Sequence, residues 1–179
     1  MAHVAWIDVP ETKPATEFVR GQLLQKVSPK RAHAQLQGRW MTALAAWAGD
    51  RGEALPEWRF SFAPPDASFS SLVPDVGYLA RATLDALSPQ AAEEPPIAPE
   101  IAVEVLSPSD RPIDVCWKTA TYLRGGTRLV IVCDPTRRTV TAHDGGSPQV
   151  FAESNTFRHP AVPGFELELA ALFEGVYRG

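Results

Sequence analysis

Ile101-Ala-Val-Glu-Val-Leu106 is the stretch that decides the fold, because it has the aliphatic character of a strand inside a buried sheet. Side chains of a strand alternate between two faces, so Glu104 lies on the face opposite Val103 and Val105. One explanation is an edge strand whose polar side is in water. Only one of the six residues is charged, which favours a buried carboxylate that needs an ionic partner or a bound cation.

The patterns on either side of this strand predict the remaining elements. Helices are predicted over residues 31–48 and 112–124, with a short one at 167–173. Strands are predicted at 21–27, 58–62, 72–80 and 129–133, and as a hairpin of 139–142 with the segment near 150–151. Residues 88–99 hold four prolines and are typical of a surface loop. Residues 1–20 are predicted to be an extended lead-in or to hold a short helix at 15–20.

The order of these elements predicts an α/β chain of the mixed-sheet (α+β) kind. We expect a central mixed β-sheet flanked by helices, with one helix on each face. A chain of 179 residues is long enough to bury one substantial core. Residues 1–179 are therefore expected to form a single domain.

The amino-acid composition restricts the possible functions less than it restricts the possible folds. A hydrophobic fraction of 45% and a charged fraction of 21% are ordinary for a globular protein. The formal net charge of -4 gives no global basic field for nucleic acid, so any phosphate contacts must be local. Cys116 and Cys133 lie in apolar segments and are predicted to be buried free thiols. No secretory signal and no membrane-spanning run is visible, so a cytoplasmic protein without a membrane partner is expected.

A second carboxylate, Asp75, follows Pro74 and precedes an apolar run over residues 76–79. Pro-Asp pairs are common in turns, so Asp75 could serve only as a turn cap. The apolar run instead favours a position at the end of a strand, where the carboxylate would face a site.

Lys118 lies in the predicted helix 112–124, beside the stripe that Val115 and Tyr122 form on its buried side. It therefore flanks the buried face. The alternative is a lysine whose stem covers the core while its ammonium reaches water and pairs with Asp114.

Two carboxylates and a lysine make chemical sense as one site. Carboxylate oxygens suit Mg²⁺ or Mn²⁺, which retain waters and accept phosphate oxygens as further ligands. Such an ion acidifies a bound water and stabilises charge on phosphoryl oxygens. The pattern therefore indicates phosphodiester hydrolysis. Two acids alone would also suit a glycosidase, but aromatic residues do not cluster around them in the sequence.

Several motifs then occur in chain order: Pro74-Asp75, Val103-Glu-Val-Leu-Ser-Pro-Ser109, Asp114-x-x-x-Lys118-x-x-x-Tyr122 and Leu129-Val-Ile-Val-Cys-Asp-Pro135. Together they resemble the Uma2 family of restriction-endonuclease-like proteins, which is assigned to the PD-(D/E)XK nuclease superfamily. The resemblance covers about residues 15–145. It implies a restriction-endonuclease-like core.

The resemblance also implies roles for individual residues. Asp75 and Glu104 would be the metal-binding carboxylates, and Lys118 the catalytic lysine. The superfamily usually has its lysine two residues after the second acid, where this chain has Leu106. Glu17, upstream of Gly21, matches a family glutamate, although it could be an ordinary solvated acid. His33 matches a histidine at a helix start, although it could equally be a core histidine.

Together, these expectations describe a Mg²⁺- or Mn²⁺-dependent endonuclease that acts on nucleic acid. DNA is the favoured substrate. The rival is a non-catalytic binding or assembly module that keeps the nuclease fold. Leu106 in the usual lysine position and the net negative charge favour this rival. The oligomeric state stays open. A homodimer is one expectation, because nucleases that cut duplexes often act as dimers.

Overall fold

The structure is a computed structural model that describes residues 8–65 and 68–176. The first seven residues, where the sequence predicts no secretory signal, lie outside the described residues. Strands within these ranges are β1 (Thr16–Val19), β2 (Gln22–Gln25), β3 (Gly52–Pro56), β4 (Phe60–Phe62), β5 (Ser70–Leu72), β6 (Val76–Ala80), β7 (Ile101–Val105), β8 (Leu129–Asp134), β9 (Thr139–His143), β10 (Gln149–Ala152), β11 (Thr156–Phe157) and β12 (Leu167–Glu168). Helices are α1 (Arg31–Ala48), α2 (Arg81–Asp85), α3 (Pro89–Glu93), α4 (Pro112–Arg124) and α5 (Leu169–Leu172).

The main sheet has six strands in the order β10-β9-β8-β7-β6-β3. Strands β7 and β8 are parallel and are joined through α4, while the other neighbouring pairs are antiparallel. The predicted mixed sheet is therefore confirmed. Strand β7 is central, so the alternative that places Glu104 on a solvated edge strand is wrong.

Each face of the main sheet has its own hydrophobic core. The first core packs Leu36, Trp40 and Leu44 of α1 against Val103 and its neighbours on one face of β7. The amphipathic stripe of α1 drives this packing, since its buried residues recur at helical spacing. The second core lies on the other face and contains Tyr122 of α4. Helices thus cover both faces, as predicted.

A smaller sheet in the order β2-β1-β5-β4 contributes to the second core. Its strands β1 and β2 form a hairpin whose turn residues, Arg20 and Gly21, both have positive φ. Glycine tolerates this conformation without steric cost. The hairpin brings the residues that follow β2 back toward the start of β6.

Several local predictions are wrong. Residues 15–20 hold strand β1 instead of a helix, because β1 pairs on both sides, with β2 and with β5. The predicted strand 72–80 is two strands, β5 and β6, separated where Pro74 lacks an N–H for a ladder. The predicted loop 88–99 contains α3, whose N-cap Ser88 accepts a hydrogen bond from Ala91 N.

Two further predictions need correction. Cys116 is exposed on α4, whereas Cys133 is buried as predicted. The predicted helix 167–173 begins as strand β12, and only α5 is helical. No helix in the described ranges combines the length and the apolar character needed to cross a bilayer.

Candidate active site

A cavity of about 340 Å³ opens at the end of β7 where Glu104 lies. Its polar lining comes from several elements: Glu17, Lys26, His33, Asp75, Glu104, Asp110, Arg111, Asp114 and Lys118. The apolar part of the lining, which we call the apolar wall, includes Leu23, Leu24, Val27, Leu106 and Val115. The five predicted site residues therefore all lie at one cavity.

Asp75 precedes β6 and is almost fully buried. Its Oδ1 lies 2.6 Å from Lys26 Nζ. Its Oδ2 accepts a hydrogen bond from Val105 N at 2.7 Å and lies 3.2 Å from His33 Nε2. Burial opposes ionisation, but Lys26 and His33 outweigh it and hold the pKa of Asp75 well below its usual range. Asp75 therefore joins three elements and is no simple turn cap.

Glu104 projects from the centre of the main sheet toward α4. Its Oε2 accepts a hydrogen bond from Lys118 Nζ at 2.8 Å, and its Oε1 accepts one from Tyr122 Oη at 3.0 Å. Burial raises the pKa of Glu104 to about 7, although the ammonium groups of Lys118 and Lys26 oppose that rise. Its charge therefore changes within the physiological range.

Lys118 joins two of the carboxylates. Besides Glu104, its Nζ lies 3.1 Å from Glu17 Oε2. Burial alone would lower the pKa of Lys118, but these carboxylates raise it, so the ammonium form persists. Asp114 pairs with Arg111 instead, at 2.7 Å, so the alternative in which Lys118 pairs with Asp114 is wrong.

Glu17 is buried, which excludes the reading of an ordinary solvated acid. Its Oε1 accepts a hydrogen bond from Val73 N at 2.9 Å. The bond to Val73 fixes the chain just before Asp75, so Glu17 links the hairpin, the start of β6 and α4.

His33 lies in the first turn of α1 and faces the cavity. Burial lowers its pKa, but the hydrogen bond and the charge of Asp75 outweigh that effect and raise it. Its Nδ1 is buried and has no hydrogen-bond partner within residues 8–65 and 68–176. His33 therefore lines the cavity beside Asp75, and its role as a site residue stays a prediction.

Lys26 was missed by the sequence analysis. It follows β2 and donates a second hydrogen bond, to Val73 O, at 2.9 Å. The Lys26 side chain contacts residues more than forty positions away in the sequence, and a local periodic pattern cannot reveal such contacts. We call Glu17, Lys26, Asp75, Glu104 and Lys118 the buried ion network.

The buried ion network has three carboxyl and two ammonium groups, so it carries one excess negative charge when all three carboxyl groups are ionised and His33 is neutral. Among the described residues, no three or more His, Cys, Asp or Glu side chains are grouped so as to hold a metal ion. Mg²⁺ commonly binds through only one or two carboxylates with waters and substrate oxygens. The chemistry of Asp75 and Glu104 fits that minimal donor set.

The amino-acid sequence matches the Uma2 family, described as "Putative restriction endonuclease", over residues 4–170. The chain belongs to the Uma2 family. This Uma2 chain also resembles a crystal structure described as a putative nuclease belonging to DUF820 from Anabaena variabilis, with 26% sequence identity and a TM-score of 0.81. The match covers 92% of this chain and 93% of that chain. No curated protein matches this Uma2 chain.

The family and the similar structure support a nuclease function in general. In this Uma2 chain, the residues that the resemblance assigned as metal ligands and catalytic lysine surround one cavity. Their catalytic and metal-binding roles stay predictions.

Proposed function

We propose that this Uma2 protein is a metal-dependent endonuclease that hydrolyses phosphodiester bonds, with DNA as its substrate. The observation that carries the proposal is the pair of buried carboxylates at one cavity, with Lys118 Nζ 2.8 Å from Glu104 Oε2. Burying two carboxylates is costly unless cations compensate them. A site that hydrolyses phosphodiester bonds combines carboxylates with cations in this way.

The metal would be Mg²⁺ or Mn²⁺, held by Asp75 and Glu104. When bound, such an ion supplies an acidified water and stabilises negative charge on the phosphoryl oxygens. Donors from Lys26, His33 and Val105 N orient the Asp75 carboxylate. Tyr122 orients Glu104 through its hydroxyl. Both ligands are thereby held in fixed positions before anything binds.

Lys118 takes the role that Leu106 cannot fill in this chain. Its ammonium is within hydrogen-bond distance of Glu104 and lines the cavity, so it can donate to a water or to a phosphate oxygen there. Leu106 instead belongs to the apolar wall of the same cavity.

Several basic side chains are already bound to other groups of the protein, which leaves fewer of them to contact phosphate. Arg39 donates to the carbonyl oxygens of Leu172 and Glu174, and Arg138 pairs with Glu153. Arg111 pairs with Asp114, but unlike Arg39 and Arg138 it lines the cavity, and its side chain is exposed. It is therefore the residue we propose for contact with the DNA backbone beside the site.

We further propose that the protein acts in the cytoplasm, since its two cysteines are unpaired, as is usual in a reducing compartment. A homodimer would allow both strands of a duplex to be cut. Sedimentation with and without duplex DNA tests that proposal.

The decisive experiment is a cleavage assay on plasmid and single-stranded DNA with Mn²⁺, which compares the wild type with Glu104→Gln. We expect cleavage by the wild type and a loss of about a hundredfold or more in the variant, because the amide removes a charged metal ligand. Equal activity of the two proteins, or none in either, would contradict the catalytic assignment.

The second candidate function is a non-catalytic binding module. All four carboxylate oxygens of Asp75 and Glu104 already accept bonds from protein groups, which favours a purely structural network. DNA binding by both the wild type and Glu104→Gln, without cleavage by either, would support this candidate.

A further inference from the structure

We propose that Lys26 is an internal counter-cation that competes with a divalent metal ion for Asp75. The inference rests on the proposed metal site and adds a residue that neither the motifs nor the family resemblance assigns. Lys26 would hold Asp75 in place while no metal is bound and would weaken metal binding by its positive charge.

The first step is the contact itself. Lys26 Nζ lies 2.6 Å from Asp75 Oδ1, the one oxygen of that carboxylate that His33 and Val105 do not contact. A metal ion that binds Asp75 through this oxygen would therefore meet the ammonium group. Like charges at such a distance repel strongly when water is excluded. Lys26 must move, or the ion binds more weakly.

The second step is the balance of charge. With Glu104 ionised and His33 neutral, the buried ion network has one excess negative charge, and a divalent ion would turn that into one excess positive charge. Removing Lys26 from Asp75 would restore neutrality. Lys118 is less free to leave, because two carboxylates, Glu104 and Glu17, hold it. Within residues 8–65 and 68–176, the Lys26 ammonium contacts one carboxylate and one carbonyl oxygen.

The third step is mobility. Lys26 follows the hairpin at its open end, and its backbone N donates to Ala15 O at 2.9 Å. The backbone is thus fixed while the side chain reaches inward. The Lys26 side chain itself is 15% exposed, so part of it borders solvent. The ammonium can leave Asp75 by rotation of this side chain, without unfolding of the hairpin.

The test is direct titration with Mn²⁺ alone, by calorimetry and by electron paramagnetic resonance of the bound ion. We expect Lys26→Met to bind Mn²⁺ about tenfold more tightly than the wild type, because one opposing unit charge beside the ligand is gone. Lys26→Arg keeps the charge, so its affinity should stay near the wild-type value. Lys30→Met is the matched control, since Lys30 is exposed and its removal changes the net charge equally.

The outcomes separate this proposal from the proposed function. A lysine with only a structural role would loosen Asp75 on removal, so unchanged or weaker binding by Lys26→Met, with saturable binding by the wild type, overturns the role of Lys26 alone. No saturable binding by either protein overturns both the metal site and the competition. Should Lys26→Met not fold, Lys26→Gln removes the same charge, keeps a donor for Val73 O and must show the same gain.

Discussion

Of the two candidate metal ligands, Glu104 is the one whose pKa lies near neutral pH. It is buried between Lys118 and Tyr122, and burial raises its pKa to about 7. Asp75 differs, because Lys26 and His33 hold its pKa below the usual range. The two candidate ligands therefore titrate in different ranges of pH, and near neutral pH only Glu104 changes its charge.

We expect Mn²⁺ affinity to rise with pH up to about 7 and to level off above it. A metal ion binds the carboxylate and not the carboxylic acid, so protonation of Glu104 below its raised pKa weakens binding, while Asp75 stays ionised. Calorimetry between about pH 5.5 and 8.5 in buffers of different ionisation enthalpy would measure the affinity and the proton released. Glu104→Gln should show a smaller pH dependence, which comes from His33 beside Asp75, and a flat profile for the wild type would contradict the prediction.

Tyr122→Phe should destabilise the protein by about 1–2 kcal/mol, because Glu104 Oε1 loses its donor within the second core. Urea unfolding near neutral pH would measure the change. Tyr78→Phe is the matched control: its hydroxyl also lies near a single acceptor, Arg51 O, but at 3.3 Å, so a smaller loss is expected. Equal stability of Tyr122→Phe and the wild type would show that this hydrogen bond makes no net contribution to the free energy of unfolding.

The sequence predicted Glu104 and Asp75 as site residues because a charge inside or beside an aliphatic run is locally visible. It could not predict Lys26, whose only signal is its position after a short strand. Its partner Asp75 is 49 positions away, and the contact exists only because the hairpin folds over the start of β6. Ion pairs between residues that are far apart in the sequence produce no periodic pattern in it.

Among the elements, the two long helices and most of the strands were predictable, whereas strand β1 was not. Helices α1 and α4 have the bounds that the apolar spacing predicts, because each buries one stripe against the main sheet. Strand β1 has only four residues, all of them buried, and includes Glu17. Such a strand lacks the polar and apolar alternation by which a half-buried strand is identified.

The end of α4 provides a test of how closely the elements pack. A Cβ at Gly125 would overlap the Phe62 ring and lie 2.8 Å from Ala98 Cβ, whereas its φ of -72° is ordinary. We therefore expect Gly125→Ala to destabilise the protein by about 1–3 kcal/mol through steric overlap alone. Thermal and urea unfolding would measure the change.

Gly38→Ala is the matched control for Gly125→Ala. Gly38 lies in the exposed part of α1, and a Cβ there would meet nothing within 4 Å. The same substitution should therefore stabilise the protein by about 0.5–1 kcal/mol through helix propensity. Two changes of the same sign and size would contradict this account of packing at Gly125.

At the scale of the whole molecule, the two cores share the main sheet, and the cavity lies beside the second. The sequence predicted a mixed sheet with helices on both faces, which the structure confirms. It did not predict the smaller sheet, because its order β2-β1-β5-β4 joins segments about fifty residues apart. That sheet carries Glu17, which the family resemblance predicted, and leads into Lys26, which no sequence pattern predicted.

The shared main sheet leads us to expect that both cores unfold together, as the prediction of one domain over residues 1–179 requires. Trp40 lies in the first core and Trp58 in the second, so removing either changes the weight of that core in the fluorescence, while Trp6 and Trp117 are retained throughout. In urea, Trp58→Phe and the double variant Trp40→Phe/Trp47→Phe should each give a fluorescence midpoint equal to that from far-ultraviolet circular dichroism of the same protein. Alternating residues of β7 face the two cores, so loss of either core exposes the strand that supports the other. Separate midpoints within one variant would mean that the cores are independent units.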